Sequence, residues 1–229
     1  VQRLRGPGFA AIPSAVTQGE LAPGTLKREA AGWGRELKQA GVNLDLAPVM
    51  DVVPPGTAQQ NQPIGALRRE FGSDPQTVAA HGVAFLRGLR QAGVAATAKH
   101  FPGLGRVTGN TDLTAGVVDP VTAPGDPYLG SFQAAVDAGV PFVMVSLASY
   151  PRIDPRHRPA GVEDPALDRH ERRGVGRRRS ALQVAVEAHE RRVRRSQPTL
   201  AEPPRLLLVL PLEERRLDRV GRPDLRRVQ

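Results

Sequence analysis

The chain has 229 residues, a formal charge of +9, 24 Gly, 22 Pro and no Cys, which is enough for one good core or two small ones. The lack of Cys excludes disulfide scaffolds and thiolate metal sites, and apolar runs as short as Leu206–Leu210 fall far below the roughly 20 residues that span a bilayer. The charge is uneven: residues 1–156 hold 14 Lys+Arg against 12 Asp+Glu, whereas residues 157–229 hold 18 against 11, so a polyanion-binding reading can rest only on the last third.

The sequence opens at Val1 with neither Met nor a basic-then-apolar leader, and the expectation is a missing N-terminus, with cytoplasmic and exported locations both open. Leu26–Ala40 places apolar residues at helical spacing and closes on QAGV, 39–42. The run VNLDLAPV that follows has strand length, and Asp51 stands just past its end. After a long connection, Pro75–Ala92 repeats the pattern, with Val78, Phe85 and Leu89 on one face. It closes on QAGV, 91–94, and leads into VAATAKHF, which ends in Lys99 and His100. Pro127–Ala138 is the third helix, closing on DAGV, 137–140, before VPFVMVSL with Ser146 near its end.

The same phrase is thus used three times: helix, a glycine able to take positive φ at the C-cap (Gly41, Gly93, Gly139), then an apolar strand. Such alternation predicts a parallel sheet covered by helices, with strands near 43–49, 94–99 and 141–147. Polar residues gather at the strands' C-terminal ends and the connections after them are long, which favours a (β/α)₈ barrel with its site on that face. No glycine fingerprint of a dinucleotide site follows any strand, so an open doubly wound sheet is the weaker reading.

After Arg156 the phrase stops. Residues 157–229 contain no Phe, Trp, Tyr, Lys, Ile or Asn, and offer one helical segment, Ala181–Arg192, and the run Leu206–Leu210. The expected organisation is a partial (β/α)₈ TIM barrel over 1–156 and a poorly packed Arg-rich tail over 157–229, whose abrupt change of composition fits a shifted reading frame.

The densest chemistry lies in AKHFPGLGRVTGNTD, Ala98–Asp112. Lys99 supplies donors at a fixed point and His100 a donor and an acceptor, a pair suited to hydroxyl-rich ligands. The plainer reading pairs Lys99 with a nearby carboxylate and leaves His100 as a satisfied core residue. A second reading makes Lys99 a Schiff-base lysine of an aldolase-type barrel, and a third sends the Arg-rich tail to nucleic acid, though no aromatic platform accompanies it. No His/Asp/Glu cluster has metal-ligand spacing, and no cofactor is implied.

KHFPGLG, together with GVNLDLAPVMDV, IGALRREFGSDP, the opening VQRLR and VMVSLASYPRID, resembles the N-terminal barrel domain of glycoside hydrolase family 3, in its β-N-acetylglucosaminidase branch. The resemblance spans roughly Val1–Asp154. It implies hydrolysis of terminal β-linked N-acetylglucosamine, as in peptidoglycan turnover, with Arg3, Arg69, Lys99 and His100 holding the sugar and Asp51 ordering the neighbouring loop. Where that branch places an Asp-x-His acid/base pair, this chain has Asn110 and Asp112. Asp112 is then either the proton donor or a loop-capping aspartate. Leu147 stands where relatives often have His, and no Ser/Thr-Asp-Asp-Leu phrase follows Tyr150 to supply the nucleophile. The expectation is a sugar-binding chain with little or no turnover of its own.

Overall fold

The computed structural model describes residues 4–154 and 205–207. The Arg-rich segment Ala181–Arg192 and Arg3 lie outside the described residues. The elements run α1 (Ala15–Gly19), α2 (Pro23–Gln39), β1 (Leu44–Asp45), α3 (Pro75–Gln91), β2 (Ala95–Phe101), α4 (Gly130–Asp137), β3 (Phe142–Val145) and β4 (Arg205–Leu207). The strands form one parallel sheet in the order β1-β2-β3-β4, with α3 returning the chain between β1 and β2 and α4 between β2 and β3.

The helices begin where the sequence supplies the right chemistry. Asp74 caps α3 by accepting from the backbone N–H groups of Gln76 and Thr77 at 3.0 and 2.9 Å, ahead of Pro75 in the first turn. Proline also opens α2. Before α4, Pro127–Leu129 forms a 3₁₀ turn, so that helix proper starts three residues later than its periodicity suggests. The repeated glycines take φ of +83°, +76° and +77° at Gly41, Gly93 and Gly139, which lets each helix end and turn into the following strand.

β1 is shorter than the eight-residue apolar run containing it. Pro48 has no N–H to give the ladder, so after Asp45 the pairing with β2 continues irregularly. Ala47 and Pro48 accept from the N–H groups of Thr97 and Lys99, and Met50 donates to the Lys99 carbonyl. Leu44 and Leu46 remain 37% and 39% exposed on this edge. At the opposite edge, Arg205–Leu207 pairs in parallel with Phe142–Met144, so three residues of the Arg-rich stretch extend the sheet.

Among the described residues, two apolar clusters result. The larger lies between sheet and helices, with Leu26, Trp33, Val78, Phe85, Leu89 and Phe132 at its centre. Helices α2 and α3 approach closely there, because a Cβ on Gly88 would lie 2.6 Å from the Ala30 Cβ and from the Lys27 carbonyl oxygen. The smaller cluster gathers Val53, Ile64, Leu104, Val107, Val117, Ala148 and Tyr150. All of these belong to segments that follow β1, β2 and β3, so the loops at the strands' C-terminal ends carry a core of their own.

Candidate active site

Asp51 sits under that loop core, fully buried. Its carboxylate accepts from the Leu104 N–H at 2.8 Å, from the His100 N–H at 3.3 Å, and from His100 Nδ1 at 2.7 Å. Burial alone would raise the pKa of this group. The His100 imidazole and the N–H groups aimed at the carboxylate outweigh burial and hold it below its ordinary value. A carboxylate so placed fixes both the start of the FPGLG turn and the orientation of the imidazole. With Nδ1 donating to Asp51, Nε2 of the neutral ring carries the lone pair. It faces the Arg69 guanidinium, whose Nη2 lies 3.5 Å away.

Arg69 arrives from the long connection after β1. Its Nη1 donates to the Pro63 carbonyl at 2.6 Å, and Nε is buried with no hydrogen-bond partner among the described residues. Arg69, Lys99 and Asp45 line a cleft of about 500 Å³ that runs past the end of β1. Burial, with the neighbouring Arg69 charge, lowers the Lys99 amine to about 8, against the opposing pull of Asp45, Asp51 and Asp112. Asp45 is shifted upward by burial, with Lys99 acting in the other direction. The strand ends therefore present two cationic donors, Arg69 and Lys99, to one cleft, with the His100 imidazole held beside Arg69 and acidic groups set around them.

Two further groups hold this arrangement from β3 and beyond. The Tyr150 hydroxyl donates to the Gly103 carbonyl at 2.7 Å. Its single proton is thereby used, so Ser146 Oγ, 2.7 Å away, is the donor of the second bond. Burial keeps the Tyr150 phenol well above its ordinary range. The loop after the turn is clamped at its base by Arg106, which reaches both carboxylate oxygens of Asp126 at 2.5 and 3.1 Å and lies 3.9 Å over the Tyr128 ring. At the tip of the loop, Asn110 Oδ1 accepts from the Asp112 N–H at 3.0 Å, while Asp112 itself is exposed beside Leu113, which is 84% exposed.

Of the residues singled out in the sequence, Arg69, Lys99, His100 and Asp51 come together at one end of the sheet. Asn110 and Asp112 ride on the adjoining loop, from which the Asp112 charge acts on Lys99. Ser146 supports the turn through Tyr150. Sequence reasoning passed over Asn61, Arg106 and Tyr150. Only Tyr150 carried a signal, an aromatic hydroxyl closely following an apolar strand.

The family model for the glycosyl hydrolase family 3 N terminal domain matches residues 1–176. A beta-hexosaminidase of Stenotrophomonas maltophilia (strain K279a) is 36% identical over 172 residues, covering 70% of this chain and 48% of that protein. A beta-hexosaminidase of Vibrio cholerae is 38% identical over 157 residues, covering 67% and 44%. The chain thus spans about half the length of these curated relatives. Among solved structures, the beta-N-acetylhexosaminidase of Beutenbergia cavernae DSM 12333 is 49% identical with a TM-score of 0.68, covering 81% of this chain and 60% of that one. NagZ of Neisseria gonorrhoeae, solved with N-trifluoroacetyl-D-glucosamine, is 25% identical with a TM-score of 0.59, covering 68% and 46%. The strand ends described above, read with a family match over three quarters of the sequence, place the chain in glycosyl hydrolase family 3 through its N terminal domain.

Proposed function

We propose that this chain carries the sugar-holding part of a β-N-acetylhexosaminidase acting on terminal β-linked N-acetylglucosamine of cell-wall glycans. The observation that carries the reading is the convergence of Arg69 and Lys99 on one cleft, with the His100 imidazole beside Arg69 and with Asp51 and Tyr150 fixing the turn that follows Lys99 and His100. Rigid donors from separate strand ends match the fixed spacing of hydroxyl and amide groups on a pyranose. The imidazole adds an acceptor at Nε2, and the amine of Lys99, close to neutrality, donates to a hydroxyl in either protonation state.

Ground-state binding of this kind does not by itself supply rate. A retaining glycosidase needs a nucleophile and a proton donor on opposite sides of the bond. Asp112 is the candidate donor, on a loop beside Lys99, and it must turn inward over the cleft to act. No Ser/Thr-Asp-Asp-Leu phrase supplies the nucleophile after Tyr150. The chain should therefore bind N-acetylglucosamine while hydrolysing an aryl N-acetyl-β-glucosaminide slowly or not at all. Titration of the full chain with N-acetylglucosamine tests the binding, and Lys99→Met is expected to abolish it. Lack of binding at millimolar sugar would overturn the proposal, and turnover that vanishes in Asp112→Ala would overturn the expected inactivity.

A further inference from the structure

Asn61 lies in the connection between β1 and α3, 3% exposed, and its side-chain amide is saturated. Nδ2 donates to the carbonyls of Leu104 and Val107 at 2.7 and 2.6 Å. Oδ1 accepts from the N–H groups of Ile64 and Gly65 at 3.2 and 2.7 Å. A primary amide has two donor hydrogens and two acceptor lone pairs, and all four are used.

The two ends of this amide grip different loops. Its oxygen fixes the start of the 3₁₀ turn Gly65–Leu67, whose backbone continues directly into the cationic pair. Arg68 donates its N–H to the Gly65 carbonyl at 2.9 Å, and Arg69 donates to the Ile64 carbonyl at 3.1 Å. That turn is also wedged from the far side, since a Cβ on Gly65 would lie 2.6 Å from the Ala58 Cα and carbonyl oxygen. The nitrogen of the amide fixes the FPGLGRV segment four residues beyond His100. Leu104 is thus held by both of its backbone polar groups, its N–H by Asp51 and its carbonyl by Asn61.

We infer that Asn61 is a positioning residue that ties the Arg69 segment to the Lys99–His100 segment and so sets the separation between these donors across the cleft. The consequence for sugar recognition rests on the function proposed above; the mechanical tie does not. Aspartate cannot replace it, because a carboxylate would set an oxygen against two carbonyl oxygens at hydrogen-bond distance. Serine offers one donor where two are used, on a shorter side chain.

The test uses the full chain with Asn61→Ser, Asn61→Asp, Arg69→Met and the Asn61→Ser/Arg69→Met double variant. Hydrogen exchange is followed in segments 62–70 and 102–108, with α3 as the internal reference, and N-acetylglucosamine affinity is measured in parallel. Each Asn61 variant is expected to speed exchange in both segments together by about tenfold or more while α3 stays protected. Sugar affinity should fall by about tenfold in Asn61→Ser, and by less than about threefold when the same change is made in Arg69→Met, because the two residues act as a unit. Faster exchange in only one segment, or equal loss of protection in α3, would overturn the tie. Fully multiplicative losses of affinity in the double variant would overturn the role in recognition. If the unsubstituted chain binds no N-acetylglucosamine, the proposed function fails, and the exchange pattern alone decides the role of Asn61.

Discussion

Replacing Asp51 by asparagine changes one oxygen to an NH₂ group in a site where every neighbour is a donor. Asparagine keeps an acceptor for the Leu104 N–H, now 2.8 Å from the carboxylate. Its NH₂ must then face His100 Nδ1, which donates to the wild-type carboxylate, while the His100 N–H, which bridges both carboxylate oxygens, keeps only the retained one. The imidazole can relieve this by moving its proton to Nε2, but that atom already faces the Arg69 guanidinium at 3.5 Å. Hydrogen bonds to a charged group contribute about 1.5–3 kcal/mol each, and at least one is lost without a replacement, so the cost should be about 3 kcal/mol. With a urea slope of about 2 kcal/mol/M, the unfolding midpoint should fall by about 1.5 M. Acid stability gives a second signature. Asp51 titrates below its ordinary 3.8 in the folded state, so its contribution is fully present above that value and disappears as pH falls through the folded value. Asp51→Asn should therefore destabilise most near neutrality and converge with the parent at low pH. A midpoint shift below about 0.3 M, with sugar affinity unchanged, would refute the assignment of Asp51 as the anchor of the turn.

Lys99→Met should act in the opposite direction on stability. The amine is depressed to about 8 from 10.5, so the unfolded chain binds more protons between those values, parent stability rises with pH across that window, and the charged amine is a burden below it. Melting at pH 7 should therefore be higher in Lys99→Met while N-acetylglucosamine binding is lost; a lower melting temperature would contradict the burial-driven shift. Amine labelling of Lys99 should reach half its maximal rate near pH 8, followed by peptide mass spectrometry. Gly105→Ala should cost about 3 kcal/mol or prevent folding, because its Cβ would fall 1.8 Å from the Val52 carbonyl oxygen, a backbone atom that cannot swing away. Arg106→Ala should lower the melting temperature modestly and sharply increase protease cleavage within 107–125, since the Asp126 pair and the Tyr128 stacking close that loop; unchanged cleavage would rule out the clamp.

The parts of this molecule visible in the sequence are those governed by short-range rules. The three glycine-terminated helices and the strands after them follow from periodicity and from C-cap geometry, both local. Lys99, His100 and Asp51 stood out because polar groups closing an apolar run are conspicuous. The early end of β1 at Asp45 reflects Pro48, whose missing donor was on view but whose effect depends on which strand lies alongside. Asn61 was invisible for a different reason. Two of its partners are the main-chain carbonyls of Leu104 and Val107, more than 40 residues away, and a backbone carbonyl has no residue type to betray it. Arg106 and Asp126 likewise read as two ordinary surface charges until the loop brings them together.

The turn that carries Lys99 and His100 has little rigidity of its own. Asp51 holds His100 at its entry, Asn61 holds Leu104 at its exit and Tyr150 holds its apex, and these three belong to the segments that follow β1 and β3. Transplanting the seven residues KHFPGLG into an unrelated barrel would move the letters without the shape. An engineer wishing to borrow this turn would have to carry the three supports along with it, in the loops that follow the neighbouring strands. For the same reason, the heptapeptide is more than a local loop: its shape depends on the segments that follow two other strands of the sheet.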